Sequence, residues 1–372
     1  MSQSPIVIGG GGAAGISCAL AAVQHGEVIL VEKTNSLGGT LTQALIHTIG
    51  GLFDQHGQVI NTGLPLELIE RLTRASAHTQ KRRIGKLWVL NVDPQIYAAV
   101  VTAWLAEFPK LKICYQTELT EIIVTDHCIT QVQLNGQTIK TKALVDATGS
   151  AQLARQLDPK LINEDSVLAG WIVQIRGVVP NTLQFPQGIA LLKTIRNAVI
   201  QHQLPPECAT VWLDSGVYAD EIYLKFNVPV ATDPADLLPI AEQLLVFLQQ
   251  FQNFTQATIH HYGQLGIREG GRINGEYCLR EVDVTSGQTF ADAACWANWA
   301  IEHWDATTGL NLEYLQQPYQ IPLRSCKVAG FQNLWAVGKC LAAESRAQAS
   351  ARVVGTCWAL GAAVGTYLGR TL

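Results

Sequence analysis

The sequence predicts an α/β protein of two lobes, and three stretches predict it. The chain opens on an apolar strand, Pro5-Ile6-Val7-Ile8, which runs through a glycine turn into a small-residue helix and on to a second strand ending at Glu32. A group of short alternating segments before residue 150 ends on Asp146-Ala147-Thr148-Gly149. Towards the other end, strand Leu334–Val337 leads through Gly338 to a second small-residue helix reaching Leu368. Strands that run into glycine turns and then helices are the punctuation of a sheet flanked by helices.

Each residue of the opening unit has a physical task. Gly10 allows a tight turn out of the strand, and Gly12 lets the backbone approach a pyrophosphate. Gly15 and Ala19 let the helix Ile16–Val23 lie close to the sheet. The free N–H groups and positive end of that helix then face the phosphates. Glu32 ends the strand Val28–Val31, about 20 residues past the first glycine, where a carboxylate accepts ribose hydroxyls. The order strand, turn, helix, strand, acid separates this reading from a glycine-rich turn before a core helix. Leu37-Gly38-Gly39-Thr40 adds a second glycine pair that turns the chain back over a bound dinucleotide.

The segment 43–92 reads as an excursion, with a loop at Gly50-Gly51 and a helix near 64–77. Asp93-Pro94 has N-cap and first-turn chemistry and starts a helix to about Phe108. Strand Lys112–Tyr115 follows. Glu121–Val124, Ile129–Leu134 and Gln137–Val145 then read as short antiparallel strands with a turn at Asn135-Gly136. Between about 155 and 325, strand-like runs at Ala169–Val178, Ala209–Leu213 and Glu221–Val228 surround helices at 187–202 and 234–252, the second opened by Asp233-Pro234. The expected architecture is a Rossmann-like domain with a small antiparallel β-meander, plus a mixed α+β substrate lobe. The first is discontinuous, residues 1–154 and 326–372; the second spans 155–325.

A chain of 372 residues suits two lobes. Hydrophobic residues make up 48% and charged residues 15%, which points to a large core and a homo-oligomeric contact surface. The net charge is −4 and no basic run exceeds Lys81-Arg82-Arg83, so nucleic acid is not an expected partner. The nine cysteines form no C-x-x-C pair, which argues against a metal or iron–sulfur site. Free thiols in this number fit a reducing, cytoplasmic compartment. No basic region precedes a cleavable apolar stretch, so no secretory leader is expected. The apolar segment Val353–Leu368 is short for a membrane span and broken by glycines, and reads as a buried helix.

The layout resembles the FAD-dependent oxidoreductases with a glutathione-reductase-type FAD domain. Gly10-Gly11-Gly12-Ala13-Ala14-Gly15, Glu32 with Gly38-Gly39, Asp146–Gly149 and Asn333–Cys340 carry the likeness. Gly266–Tyr277 and Ala347–Cys357 are similar to a broad bacterial group of such flavoproteins. The opening fingerprint alone would suit NAD; the Ala-Thr-Gly element and the returning C-terminal segment favour FAD. The resemblance implies that Gly10, Gly12, Ala13, Ala14, Gly15, Glu32, Lys33, Gly38, Gly39 and Thr40 hold the nucleotide. It implies that Leu119 holds the adenine and that Ala147, Thr148 and Gly149 lie by the pyrophosphate. Gly338 and Lys339 would lie by the ribityl chain, with Arg352 and Val353 beside the flavin at the last helix. An Asp often stands where this chain has Lys339. The likeness is weak between about 155 and 255, where a substrate would be chosen, so it implies a cofactor and not a substrate.

Flavin chemistry asks the protein for substrate placement and an acid or base. Arg268, Glu269, Arg272 and Glu276 form one candidate group, in which an arginine binds a substrate carboxylate or an ion-pair network ties the lobes together. The second is Trp296–Asp305, with Glu302 and His303: either an aromatic pocket with a base, or a buried aromatic helix face with a surface histidine. It lacks the W-x-W-x-I-P spacing of flavin-dependent halogenases. His47 is a third candidate, as a base, a covalent flavin anchor or a core histidine. Glu344 and Arg346 meet the flavin edge or cap a surface turn, and Cys340 packs.

The function expected is FAD-dependent oxidation of a small organic substrate by hydride transfer to the flavin. A flavin monooxygenase acting on an aromatic or peptide substrate is the first alternative, favoured by the tryptophans. A non-catalytic flavin-binding or assembly protein is the second. The absence of a second glycine fingerprint argues against a separate NAD(P)H domain.

Overall fold

The computed structural model describes residues 4–165, 168–305 and 309–372. Five short strands build a sheet in the order Leu334–Ala336, Ala143–Asp146, Ile6–Gly9, Val28–Val31, Leu111–Cys114. All its pairings are parallel, with Ile6 beside both Ala143 and Val28 and Val145 beside Trp335. Parallel strands covered on both faces read as unbroken apolar runs, and the three central strands are fully buried.

Helix Ala13–Ala22 is buried along almost its whole length. It is overlaid by the helix Val354–Thr371, whose Gly361 and Gly365 rest on the carbonyl oxygens of Ala14 and Cys18, so tightly that a Cβ at either position would collide with them. The small residues of both helices therefore record a backbone-on-backbone contact. Among the described residues no helix is long and apolar enough to cross a membrane.

The meander is present as Leu119–Thr125, Cys128–Leu134 and Gln137–Lys140, turning at Asn135-Gly136 with positive φ at both residues. The expected single strand Gln137–Val145 is in fact two. The break falls at Thr141, whose hydroxyl lies within hydrogen-bonding distance of the Ala143 carbonyl at 2.7 Å and the Pro5 carbonyl at 2.9 Å, where the chain passes from the meander into the parallel sheet. The helix of the excursion spans Leu64–Ala75, and that opened by Asp93 spans Pro94–Ala106 with the Asp93 carboxylate accepting from Gln95 N at 2.7 Å. A hairpin, Gln80–Ile84 with Leu87–Asn91, was not expected: its outer strand is polar and shows no alternating apolar pattern.

A second sheet has the order Trp212–Ser215, Ile222–Pro229, Leu168–Arg176, Thr258–Tyr262 and is antiparallel throughout, with Gly266–Ile267 also pairing to Leu168–Arg176. Helices Gln187–Ile200 and Pro234–Leu248 accompany it, the latter capped by Asp233. The expected strand Ala209–Leu213 starts later, at Trp212, because Pro206–Thr210 forms a 3₁₀ turn. The hydrophobic core here draws on residues between Ala169 and Ala257. Cys295, Ala297, Ile301, Tyr319 and Ile321, further along the chain, pack instead into the core beside the parallel sheet.

Trp296–Asp305 is not a helix face. It lies on two strands, Ala293–Ala297 and Ile301–Asp305. Alternation turns Cys295 and Ala297 inward and Trp296 outward, and places Glu302 and Trp304 on one face of the second strand with the exposed His303 on the other.

Candidate active site

A cavity of about 760 Å³ opens at the carboxyl ends of the parallel strands. Its floor is the glycine turn. Gly12 is the N-cap of helix Ala13–Ala22 and offers no side-chain cap, so the first N–H groups of the helix are left for a ligand. A Cβ on Gly12 would meet nothing closer than Gly39 Cα at 4.0 Å, whereas one on Gly15 would run into the Gly10 carbonyl. Gly12 thus keeps space open for a ligand, and Gly15 lets the helix close on the turn. Gly38 and Gly39 both have positive φ, and Gly38 N donates to Gly11 O at 2.8 Å, which folds the second glycine pair across the first.

Glu32 is buried at the end of its strand. One carboxylate oxygen accepts from Gly11 N at 2.7 Å and the other from the Thr34 amide and hydroxyl, both at 2.8 Å. Its carboxylate is therefore fixed in place at the cavity wall. Asp146 plays the matching part under the opposite wall. It accepts from the Thr148 amide and hydroxyl and caps the helix Gln152–Leu157 through Leu153 N and Ala154 N. Burial raises the Asp146 carboxyl above its usual value even against these donors. The bonds hold Ala147, Thr148 and Gly149 along the cavity.

Lys339 follows Gly338 into the cavity. Its Nζ donates to the Ile267 carbonyl, and its Cε lies close over Gly149. Burial pushes the Lys339 ammonium down to about 8.

At the far end Arg352 lines the cavity and pairs with Glu302, Nη2 to Oε1 at 3.4 Å. Glu302 also accepts from both neighbouring indoles, Trp304 at 2.6 Å and Trp299 at 3.1 Å. Burial alone would raise the Glu302 carboxyl, but Arg352, the Trp304 indole and Arg268 outweigh it and hold it below the usual value. The Arg268 guanidinium lies 4.2 Å from the Trp304 ring centroid and donates to Asn227 Oδ1 at 2.5 Å. Burial, with Arg352 adding to it, pushes Arg268 down to about 9.

Most residues expected at the nucleotide line this cavity: Gly10, Gly12, Ala13, Ala14, Glu32, Lys33, Gly39, Thr40, Leu119, Ala147, Thr148, Gly149, Gly338, Lys339 and Arg352. Gly15 and Gly38 shape its turns from behind, and Val353 packs over Gly51. The two groups read separately in the sequence meet, since Arg268 covers Trp304. Their other members divide. Glu269 is half-buried beside Arg268, while Arg272 pairs with Asp165 at 2.8 Å and Glu276 with Lys327 at 2.7 Å. His303 points to solvent. His47 is fully buried away from the cavity lining, 3.3 Å from Asp214 Oδ2. Arg346 pairs with Glu281 and Glu313, Glu344 accepts from Glu281 N, and the buried Cys340 thiol accepts from Ala151 N. Sequence reading missed Thr34, Gln43, Gln264 and Ile267 in the lining. Gln43 bonds Thr34, and Gln264 N donates to Gln43 O, contacts that no local motif announces.

The donor set fits FAD: an open phosphate cradle at Gly12, a fixed carboxylate at Glu32 and a cation at Lys339. A family model described as FAD dependent oxidoreductase matches residues 5–158 and 190–370. No curated protein matches the sequence. An anhydrotetracycline hydroxylase from Streptomyces rimosus shares the fold with a TM-score of 0.53 at 12% identity, over 99% of this chain and 62% of that one. A geranylgeranyl bacteriochlorophyll reductase-like protein from Thermoplasma acidophilum gives a TM-score of 0.49 at 10% identity, over 100% of this chain and 78% of that one. A glycine oxidase from Bacillus cereus gives 0.46 at 12% identity, over 99% and 94%.

Proposed function

The chain belongs to the FAD dependent oxidoreductase family, and from that premise we propose that it oxidises a small organic substrate by hydride transfer to its flavin. It is an enzyme and its cofactor is FAD. When bound, FAD supplies an acceptor for a hydride. The residues of this chain supply the rest.

Glu32 would accept ribose hydroxyls, and the amides at Gly12–Ala14 with Lys339 would face the pyrophosphate. Asp146 acts indirectly, by holding Ala147–Gly149 against the same groups. Residues 1–154 and 326–372 would form the FAD unit and 155–325 the substrate lobe, within which the strands around 293–322 brace the first core. Arg268 and Arg352 would orient the substrate from the lobe boundary, and the indoles of Trp299 and Trp304 would keep Glu302 turned toward the arginines. Glu269, half-buried next to Arg268, is the carboxylate placed to adjust that charge.

One observation carries this reading. A single cavity runs from the fixed carboxylate of Glu32, past the glycine cradle, to the cation Arg352. The groove reaches Arg352, and behind it pack Glu302 and the indoles of Trp299 and Trp304.

The test is anaerobic. FAD-loaded protein is mixed with panels of metabolites while the flavin absorbance is followed. Bleaching by a metabolite alone supports the reading. Bleaching by NADPH that needs a second compound identifies a monooxygenase. A flavin that no compound reduces counts against the reading.

A further inference from the structure

Arg268, Arg352, Glu302 and two indoles, from separate parts of the chain, meet beside the cavity, and Glu269 adds a second carboxylate near Arg268. Among the described residues Glu302 is the carboxylate that pairs with Arg352, and it also accepts from Trp299 and Trp304. Arg268, among the described residues, hydrogen-bonds to the neutral Asn227 and to no carboxylate. Among the described residues two buried guanidinium nitrogens, Arg268 Nη1 and Arg352 Nε, have no hydrogen-bond partner. An unpaired buried donor on a charged group is costly, and such groups are retained where a ligand completes them.

The arginine is also seated by design of the sheet. Gly170 and Asn227 face each other across Leu168–Arg176 and Ile222–Pro229. A Cβ on Gly170 would come within 2.9 Å of Arg268 Nη2, so the missing side chain makes the berth, and Asn227 orients the guanidinium in it. The Trp304 ring covers the other side. Among the described residues the direct contacts of this berth are neutral, Glu302 and Glu269 act on the cation through space, and Nη1 is left without a hydrogen-bond partner.

We propose that Arg268 and Arg352 form a recognition site for the carboxylate of the substrate, so that the enzyme acts on a small carboxylic acid. This deepens the oxidoreductase reading and rests on it. The planar fork of an arginine matches a carboxylate through paired N–H bonds, and two such groups set the acid in one orientation beside the cavity. Their mutual repulsion is relieved when the anion arrives, which agrees with the lowered Arg268 value. The same anionic chemistry is offered by the FAD phosphates, and the experiment separates the two sources.

FAD-loaded enzyme is titrated with acetate, glycolate and benzoate, and with the neutral amide of each, while shifts of the flavin spectrum are read. At least one acid is expected to bind tenfold or more tighter than its amide. Arg268→Gln and Gly170→Ala are each expected to weaken that acid about tenfold to a hundredfold, the range of lost charge-assisted bonds, with thermal stability showing that both variants fold. Arg268→Lys, which keeps charge and loses the fork, should fall between. FAD is titrated separately into the same variants stripped of cofactor, and its affinity should be unchanged. Equal binding of acids and amides, or acid binding indifferent to Arg268 and Gly170, overturns the proposal. Loss of FAD affinity in Arg268→Gln overturns it too, by giving the arginine to the phosphates. A yellow enzyme without acid preference defeats this inference alone; a protein that takes up no FAD defeats the reading beneath it.

Discussion

The imidazole of His47 lies flat on the phenol ring of Tyr223, ring centroids 3.7 Å apart and planes 12° apart. The stack joins the excursion after the first βαβ unit to the second sheet. Asp214 stands beside it, holding Lys225 and Arg82 at 2.8 Å each. Burial first, and Lys225 second, push His47 down to about 4, so it is neutral in the folded protein at neutral pH.

That neutrality sets a pH dependence. The unfolded chain takes up a proton at His47 near the ordinary value of 6.5, and the folded chain refuses it until about 4. Stability therefore falls as pH drops through this window, by about 3 kcal/mol in all. His47→Gln should flatten the window in urea unfolding measured at several pH values. An unchanged slope would assign the loss to another group. Asp214 acts lower: its carboxyl is held well below the usual value, chiefly by Lys225 and His47 against the opposing effect of burial. Its contribution is present at neutral pH and is lost only below about the ordinary carboxylate range.

Gly12 and Gly15 sit three residues apart and should fail in different ways. Gly12→Ala adds a methyl group to open space in the cavity, so unfolding should shift little while FAD affinity drops at least tenfold. Gly15→Ala drives a methyl group into the Gly10 carbonyl and should lower stability, by about 1–3 kcal/mol as for overpacked sites. Thermal melts and FAD fluorescence titrations on both variants check this; a shared phenotype would contradict it.

Glu32→Gln tests the fixed carboxylate. The amide cannot accept from Gly11 N and both Thr34 donors at once, since one of its ends donates. We expect FAD to bind about tenfold to a hundredfold more weakly, as for hydrogen bonds to a charged group. Unaltered retention of FAD through gel filtration would remove Glu32 from the site.

Lys339 gives FAD affinity its own pH profile. With the free protein's ammonium at about 8, binding an anion requires it to stay charged. Affinity should be level below that value and weaken as pH rises past it. In Lys339→Gln it should be weaker and level throughout. A wild-type profile without a bend near pH 8 would count against the ion pair.

The nucleotide cradle was legible because its logic is local: turn, helix start and acid lie within one βαβ unit, and each residue type answers one steric or electrostatic demand. The cluster around Arg268 was legible only in pieces. Arg268 belongs to a group that reads as either a carboxylate ligand or an ion-pair network, and Glu302 with its tryptophans to a separate one, but no spacing rule says that Trp304 lies under Arg268. Reading 296–305 as a helix face also hid the key pattern. On a strand, alternation selects Glu302 and Trp304 together and sends His303 to solvent. The hairpin at 80–91 escaped for a different reason: Lys81 and Arg83 cover the Trp88 ring by cation–π contact, at 5.0 and 5.3 Å, so its polar face carries packing that a hydrophobic pattern does not register.

The glycine stripe of helix Val354–Thr371 has a bearing on how the molecule is made. During synthesis, helix Ala13–Ala22 leaves the ribosome long before the helix that must cover it. Until then its small apolar face has no lid, and the flanking sheet lacks its edge strand Leu334–Ala336. The antiparallel unit between Ala169 and Ala257 draws on no such distant partner and can mature first. A cavity lined by Gly338, Lys339 and Arg352 is thus complete only once the last segment has emerged.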